Sequence, residues 1–169
     1  MALREIRKEG DPVLAKLCKP VKEITPRITE LIEDMFDTMY EGNGCGLAAC
    51  QVGVLRQIFV VDIGDDNQYV FINPQITEME GEVTDDEGCL SIPGYVGTVT
   101  RAQKIKVVAF DEELKPFEME AEDFLARAIQ HEFDHLSGHL YTEKVEGELR
   151  KAVPQEEEGA PLAENTEEA

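Results

Sequence analysis

The order of elements legible in this 169-residue chain predicts an α+β fold with mostly antiparallel β-sheets. Three observations carry the prediction. An amphipathic helical stripe lies near the start, a second lies near residue 130, and a series of short strand-like runs separates them. The length suits one domain, and a chain of about 150–170 residues buries roughly 70% of its unfolded surface without a disulfide staple.

The elements follow in order. Asp11-Pro12 predicts a short helical turn. Thr25 is placed as an N-cap with Pro26 at the first helical position, opening a helix to Glu41. Ile28, Leu31, Ile32, Met35, Phe36 and Met39 recur there at spacings of one helical turn. Strand patterns are expected over Gln57–Ile63, Tyr69–Asn73, Gln75–Glu82, Tyr95–Arg101, Lys104–Phe110 and Pro116–Glu120. A second helix is expected from Glu122 to Ser137, with Gly138 as the residue that ends it. The sheets are expected to pack around this last helix.

Charge bounds the function. With 16 Lys+Arg against 36 Asp+Glu, the formal net charge is −20, which argues against general affinity for nucleic acid or anionic lipid. Residues 152–169 hold six acidic residues and no basic one. The expected organisation is a folded domain over 1–148 and an acidic, disordered tail over 149–169. There is no apolar run of the roughly 20 residues a membrane span needs, and no apolar signal core at the start. A soluble, intracellular protein is therefore expected, with Cys18, Cys45, Cys50 and Cys89 as free thiols or metal ligands.

The strongest chemical signal is His131-Glu132-Phe133-Asp134-His135. Histidines at i and i+4 share one helical face, so both imidazoles reach one cation, and Glu132 can touch water beside it. Metzincins place a further histidine where this chain has Tyr141, and gluzincins use a downstream Glu for which only the tail remains. The third ligand is sought upstream, at Cys89 in Glu87-Gly88-Cys89-Leu90-Ser91. Cys-His-His leaves a fourth position open, the mark of a catalytic site. A structural zinc on Cys45, Cys50 and the histidines competes with this reading but leaves Glu132 and Cys89 without a role. The small-residue segment Gly44–Gln51 permits close approach of another chain, and Gln51 supplies an amide donor.

Together and in this order, GCGLAACQ (44–51), EGCLS (87–91) and HEFDH (131–135) resemble the three motifs of peptide deformylases, and the resemblance covers residues 5–145. It implies removal of formate from the N-terminal formyl-methionine of nascent polypeptides. It implies a divalent metal on Cys89, His131 and His135, usually ferrous iron, with zinc or nickel able to occupy the same site. Glu132 would be the acid/base, and Gln51 with the Leu90 N–H would polarise the formyl carbonyl. Gly46 and Gly88 would hydrogen-bond the substrate peptide, and Cys45, Glu87, Ala128 and His131 would form the methionine pocket. Arg101 is a candidate partner of Glu87. Cys45 and Cys50 add two thiols near the metal and suggest oxidation sensitivity.

A monomer is expected. The family's basic C-terminal helix has no counterpart in Gly147-Glu148-Leu149-Arg150-Lys151, so ribosome contact through that end is not expected. Another HExxH hydrolase, such as a peptidase, and a non-catalytic metal-stabilised binding module are the alternatives.

Overall fold

The structure is a computed structural model and describes residues 2–152. Both expected helices form. Helix α1 covers Pro26–Glu41, and the Thr25 hydroxyl accepts from the Ile28 N–H at its start. Helix α2 covers Asp123–His135. A 3-10 turn over Pro12–Ala15 is capped by Asp11. Gly138 has φ +84, and a Cβ there would lie 2.6 Å from the carbonyl oxygen of Ala15, so both backbone and contact require glycine.

Among the described residues, eight strands form two antiparallel sheets. They are β1 (Gly46–Ala48), β2 (Ile58–Val61), β3 (Tyr69–Glu80), β4 (Val83–Cys89), β5 (Ile92–Arg101), β6 (Lys104–Phe110), β7 (Pro116–Glu122) and β8 (Glu146–Lys151). The larger sheet runs β1-β2-β3-β6-β7 and the smaller β4-β5-β8. Strands β1 and β4 are therefore both edges.

The central strands of the larger sheet lie between two helices. Ile58 and Val60 of β2, with Val70 and Ile72 of β3, pack with Leu31, Met35 and Met39 of α1. Their neighbours Phe59, Val61 and Phe71 pack with Ala126, Ala128 and Ile129 of α2. Burial on both faces explains the unbroken apolar run IFVV in β2. Strand β7 has one covered face, and accordingly alternates Phe117, Met119 and Ala121 with glutamates.

Three sequence expectations change. The two runs expected on either side of Pro74 form the single strand β3, bent at Asn73 (φ 51), where the register shifts. Asn73 holds the bend by accepting from the Val21 N–H and donating to the Val21 carbonyl, each at 2.8 Å. Strands β1 and β4 were not expected, because the glycines of one and the acidic residues of the other hide any alternation. The boundary at 148 falls inside β8, whose Arg150 and Lys151 pair with Val96 and Tyr95 of β5. Backbone pairing supplies what the polar sequence of β8 does not advertise. From residue 153 onward the expected tail lies outside the described residues.

Candidate metal centre

The turn between β4 and β5, the 3-10 turn over Ala49–Val52, and one face of α2 converge. Cys89 ends β4 and pairs with Ile92 across the two-residue turn Leu90-Ser91, so the hairpin tip presents the sulfur as expected. His131 and His135 lie one turn apart on α2, their rings 5.2 Å apart at 75°. Donor atoms of Cys89, His131 and His135 all lie within 4.8 Å of one another, the only such group of three or more among the described residues. Cys89 Sγ is 3.6 Å from His135 Nε2. A site on Cys45 and Cys50 with the histidines does not form. Cys50 instead donates to the backbone carbonyl of His135 at 3.4 Å.

Glu132 is buried between these groups. Its Oε1 lies 4.0 Å from His135 Nε2 and has no hydrogen-bond partner. A buried carboxylate oxygen without a partner is costly. Beside a thiol and two imidazoles, it fits a site that takes a cation and a water. Without the ion, burial raises the Glu132 carboxyl to about 7, and the charge on His131 only partly offsets this. Gly46 makes room for the carboxylate: a Cβ at that position would stand 2.5 Å from Glu132 Oε2.

His131 is held from behind. Its Nδ1 lies 2.9 Å from Glu87 Oε1, and since a carboxylate only accepts, the ring donates. That fixes the tautomer and leaves Nε2 for a ligand. Burial disfavours the protonated ring, but hydrogen bonds to Cys89 and Glu87 outweigh it and carry His131 up to about 10. His135 is pushed well below its usual value by burial and by the charge of His131.

Glu87 takes two bonds from Arg101, at 2.7 and 2.9 Å, and one from Arg127 at 2.6 Å. Burial opposes its charge, yet Arg101 and His131 hold the carboxyl far below the usual range. The Arg101 partnership expected from sequence is thus a buried bidentate pair. Arg101 also donates to Asp134 at 2.7 Å, which fixes that residue behind the site. Glu87 reaches the cleft, but its carboxylate is committed to the arginines and His131. It still lines the cleft beside Cys45, Ala128 and His131, where the methionine pocket is expected.

Two functional neighbours were missed by sequence reasoning. Arg127 lies four residues before His131, so helical spacing alone placed it on the same face. Ser91 is fully buried and accepts from Gln51 Nε2 at 3.0 Å. Gln51 Oε1 accepts from the Ala48 N–H at 2.9 Å, which orients the amide so that Nε2 also points to Cys89 Sγ at 3.5 Å. The N-terminal strand-like segment ties these parts together: Arg7 N–H donates to the Gln51 carbonyl and Glu9 N–H to the Ser91 carbonyl.

A cleft of about 620 Å³ opens onto the site between β1 and β4. Cys45, Gly46, Gly88, Leu90, Ala128 and His131 are among the residues that line it. The Leu90 side chain packs where a Cβ on Gly44 would sit, which closes one end. Burial and the nearby Glu132 push the Cys45 thiol up to about 11. No helix among the described residues is long and apolar enough to cross a membrane.

The pattern of the polypeptide deformylase family matches residues 3–151. The chain is 58% identical over 149 residues to the peptide deformylase of Agathobacter rectalis, covering 88% of this chain and 94% of that one. Its structure superposes on the peptide deformylase of Legionella pneumophila with a TM-score of 0.83 at 44% identity, covering 86% and 87% of the two chains. The Thermotoga maritima enzyme gives 0.84 at 39% identity, covering 87% and 100%. With matching sequence over nearly its whole described length and a metal-ligand trio framed by Glu132 and Gln51, this chain belongs to the polypeptide deformylase family.

Proposed function

We propose that this chain removes the N-formyl group, as formate, from the N-terminal formyl-methionine of nascent polypeptides by metal-dependent hydrolysis. The observation that carries the reading is the buried trio Cys89, His131 and His135 beside the unpartnered carboxylate oxygen of Glu132. A divalent ion on Cys89 Sγ and the two imidazoles supplies Lewis acidity toward the formyl carbonyl and toward water. We assign ferrous iron to these donors in the cell, with zinc or nickel as occupants of the same set, because a thiolate favours softer or redox-active ions.

The chain's own groups do the rest. Glu132 takes the proton of the attacking water and delivers it to the leaving amide nitrogen. Gln51 Nε2 has two hydrogens. One is held by Ser91, and the other, directed at Cys89 Sγ across a long 3.5 Å contact, turns with substrate bound to donate to the oxyanion beside the Leu90 N–H. A donor of this kind is worth roughly 3–4 kcal/mol.

The peptide lies extended between the edge strands β1 and β4, bonding to the backbones of Gly46 and Gly88. Main-chain pairing reads any sequence, so specificity rests on the pocket beside Cys45, Glu87, Ala128 and His131. The working unit is a monomer in the bacterial cytoplasm, and nascent chains are met by diffusion or through a local contact.

The test is formate release from formyl-Met-Ala-Ser by anaerobically purified, iron-loaded protein, beside Glu132→Ala. Wild type should release formate and the variant should not. An active Glu132→Ala would overturn the proton-transfer role, and cleavage of internal peptide bonds without formate release would favour a peptidase.

A further inference from the structure

A second concavity, of about 930 Å³, lies at the N-terminal end of α1 and differs in charge from the rest of the molecule. Lys19, Lys22, Arg27 and Arg56 line it together with Arg4, against only Glu23 and Glu30. Arg4 is taken by Asp34 at 3.0 Å. The other four cations are exposed, and none of them belongs to an ion pair among the described residues. In a chain of net charge −20 with 16 basic residues, four free cations around one cleft form a local reversal of sign.

The fold builds this cleft. Lys19 and Arg56 are backbone neighbours: Lys19 N–H donates to Leu55 at 3.1 Å, and Gln57 N–H returns to Lys19 at 2.8 Å. Lys22 and Arg27 flank the start of α1, whose first-turn N–H groups add positive potential on the same side. Helix α1 has 16 residues, about 24 Å at 1.5 Å per residue. Gly42 and Gly44, just past its other end, line the metal-site cleft. The two clefts thus sit at opposite ends of one helix, and a partner held at the basic end leaves the reaction cleft open.

We propose that this basic cleft is a docking site for the phosphate backbone of RNA, and that it is the local contact through which the protein meets ribosomes. The inference rests on the reading that formylated nascent chains are the substrate, since these arise beside ribosomal RNA. Chemistry narrows the occupant. Among the described residues no aromatic side chain lines the cleft, so no ring offers a base the stacking platform of a single-strand reader. Free cations on two separate segments instead suit successive phosphates, read without sequence. A concave site admits a phosphodiester ridge, whereas a flat lipid surface cannot enter it.

Affinity is modest, because the remaining acidic surface repels RNA. At physiological ionic strength that repulsion is screened over about 8 Å, while a phosphate inside the cleft is in direct contact. The acidic faces then orient the protein, leaving one productive approach.

The test uses the metal-loaded full chain and the charge-reversal variant Lys19→Glu/Lys22→Glu/Arg27→Glu/Arg56→Glu, with co-sedimentation on bacterial 70S ribosomes. Neutralising about four phosphates implies a fall in wild-type association of roughly 50- to 150-fold between about 50 and 200 mM salt. The variant should lose association at least tenfold at the lower salt while releasing formate from formyl-Met-Ala-Ser within twofold of wild type. Equal sedimentation of variant and wild type, or no sedimentation of wild type, would overturn the proposal. So would capture by phosphatidylserine vesicles in preference to ribosomes. Loss of formate release from both proteins would instead count against the proposed activity.

Discussion

Nδ1 of His131 donates to Oε1 of Glu87 across 2.9 Å, and both side chains are buried. A ligand on α2 is thereby oriented by a carboxylate from β4, which is itself locked by Arg101 and Arg127. Glu87→Gln should weaken metal retention by about 10–100-fold, measured by competition with a chelator. Unchanged retention would remove Glu87 from the orienting role.

The same variant predicts a pH dependence. The Glu87 carboxyl is held far below its usual value, so folding is favoured by its charge above the unfolded value of about 4.3. That contribution is lost as pH falls through the folded value. Removing one partner of a buried pair costs about 3–5 kcal/mol. Denaturant unfolding should therefore show wild type more stable than Glu87→Gln by this order at neutral pH, with the gap closing under strongly acid conditions. A gap that widens on acidification would contradict the assignment.

Gly46→Ala places a methyl group 2.5 Å from Glu132 Oε2. The carboxylate must move, and a displacement of about 1 Å at a catalytic group can cost a factor of 100. The expected result is a large fall in kcat with folded protein by circular dichroism. Retention of wild-type kcat would show that the carboxylate has slack.

Ser91→Ala removes the acceptor that holds one hydrogen of the Gln51 amide. The amide should then share its donors differently, weakening the oxyanion contact. We expect kcat to fall about tenfold, a cost near 1.4 kcal/mol, with little change in KM. A change confined to KM would point to substrate binding instead.

Cys45 and Cys50, flagged by sequence as oxidation-prone, are poor nucleophiles in this setting. Burial and Glu132 push Cys45 up to about 11, and Cys50 is fully buried with its thiol on the His135 carbonyl. A Cys45→Ile/Cys50→Thr variant should lose activity in air at the wild-type rate. Marked protection would reinstate the thiols as the vulnerable groups.

Much of the site was legible because its chemistry is written in local spacing. His131 and His135 share a face by helical geometry alone, and Thr25-Pro26 and Gly138 bracketed the helices through caps that act over a few residues. Strands β1, β4 and β8 were illegible for the converse reason. Their sequences GLA, VTDDEGC and EGELRK carry little apolar alternation, and they exist because distant strands offer them backbone partners.

The sequence by itself determined the helices, the ligand types and the presence of a general base, since each depends on residue identity and short-range periodicity. Only the tertiary structure decided that Cys89 meets the two histidines, that Glu87, held by two arginines, orients His131, and that β1 and β4 leave an open edge on either side of one cleft. The contacts of β4 with α2 join residues 40 or more positions apart. Their geometry is set by sheet pairing and by helices packed on opposite faces of β2 and β3. The four free cations at the start of α1 show the same division: composition reports only their sum within −20, and folding gathers them into one cleft.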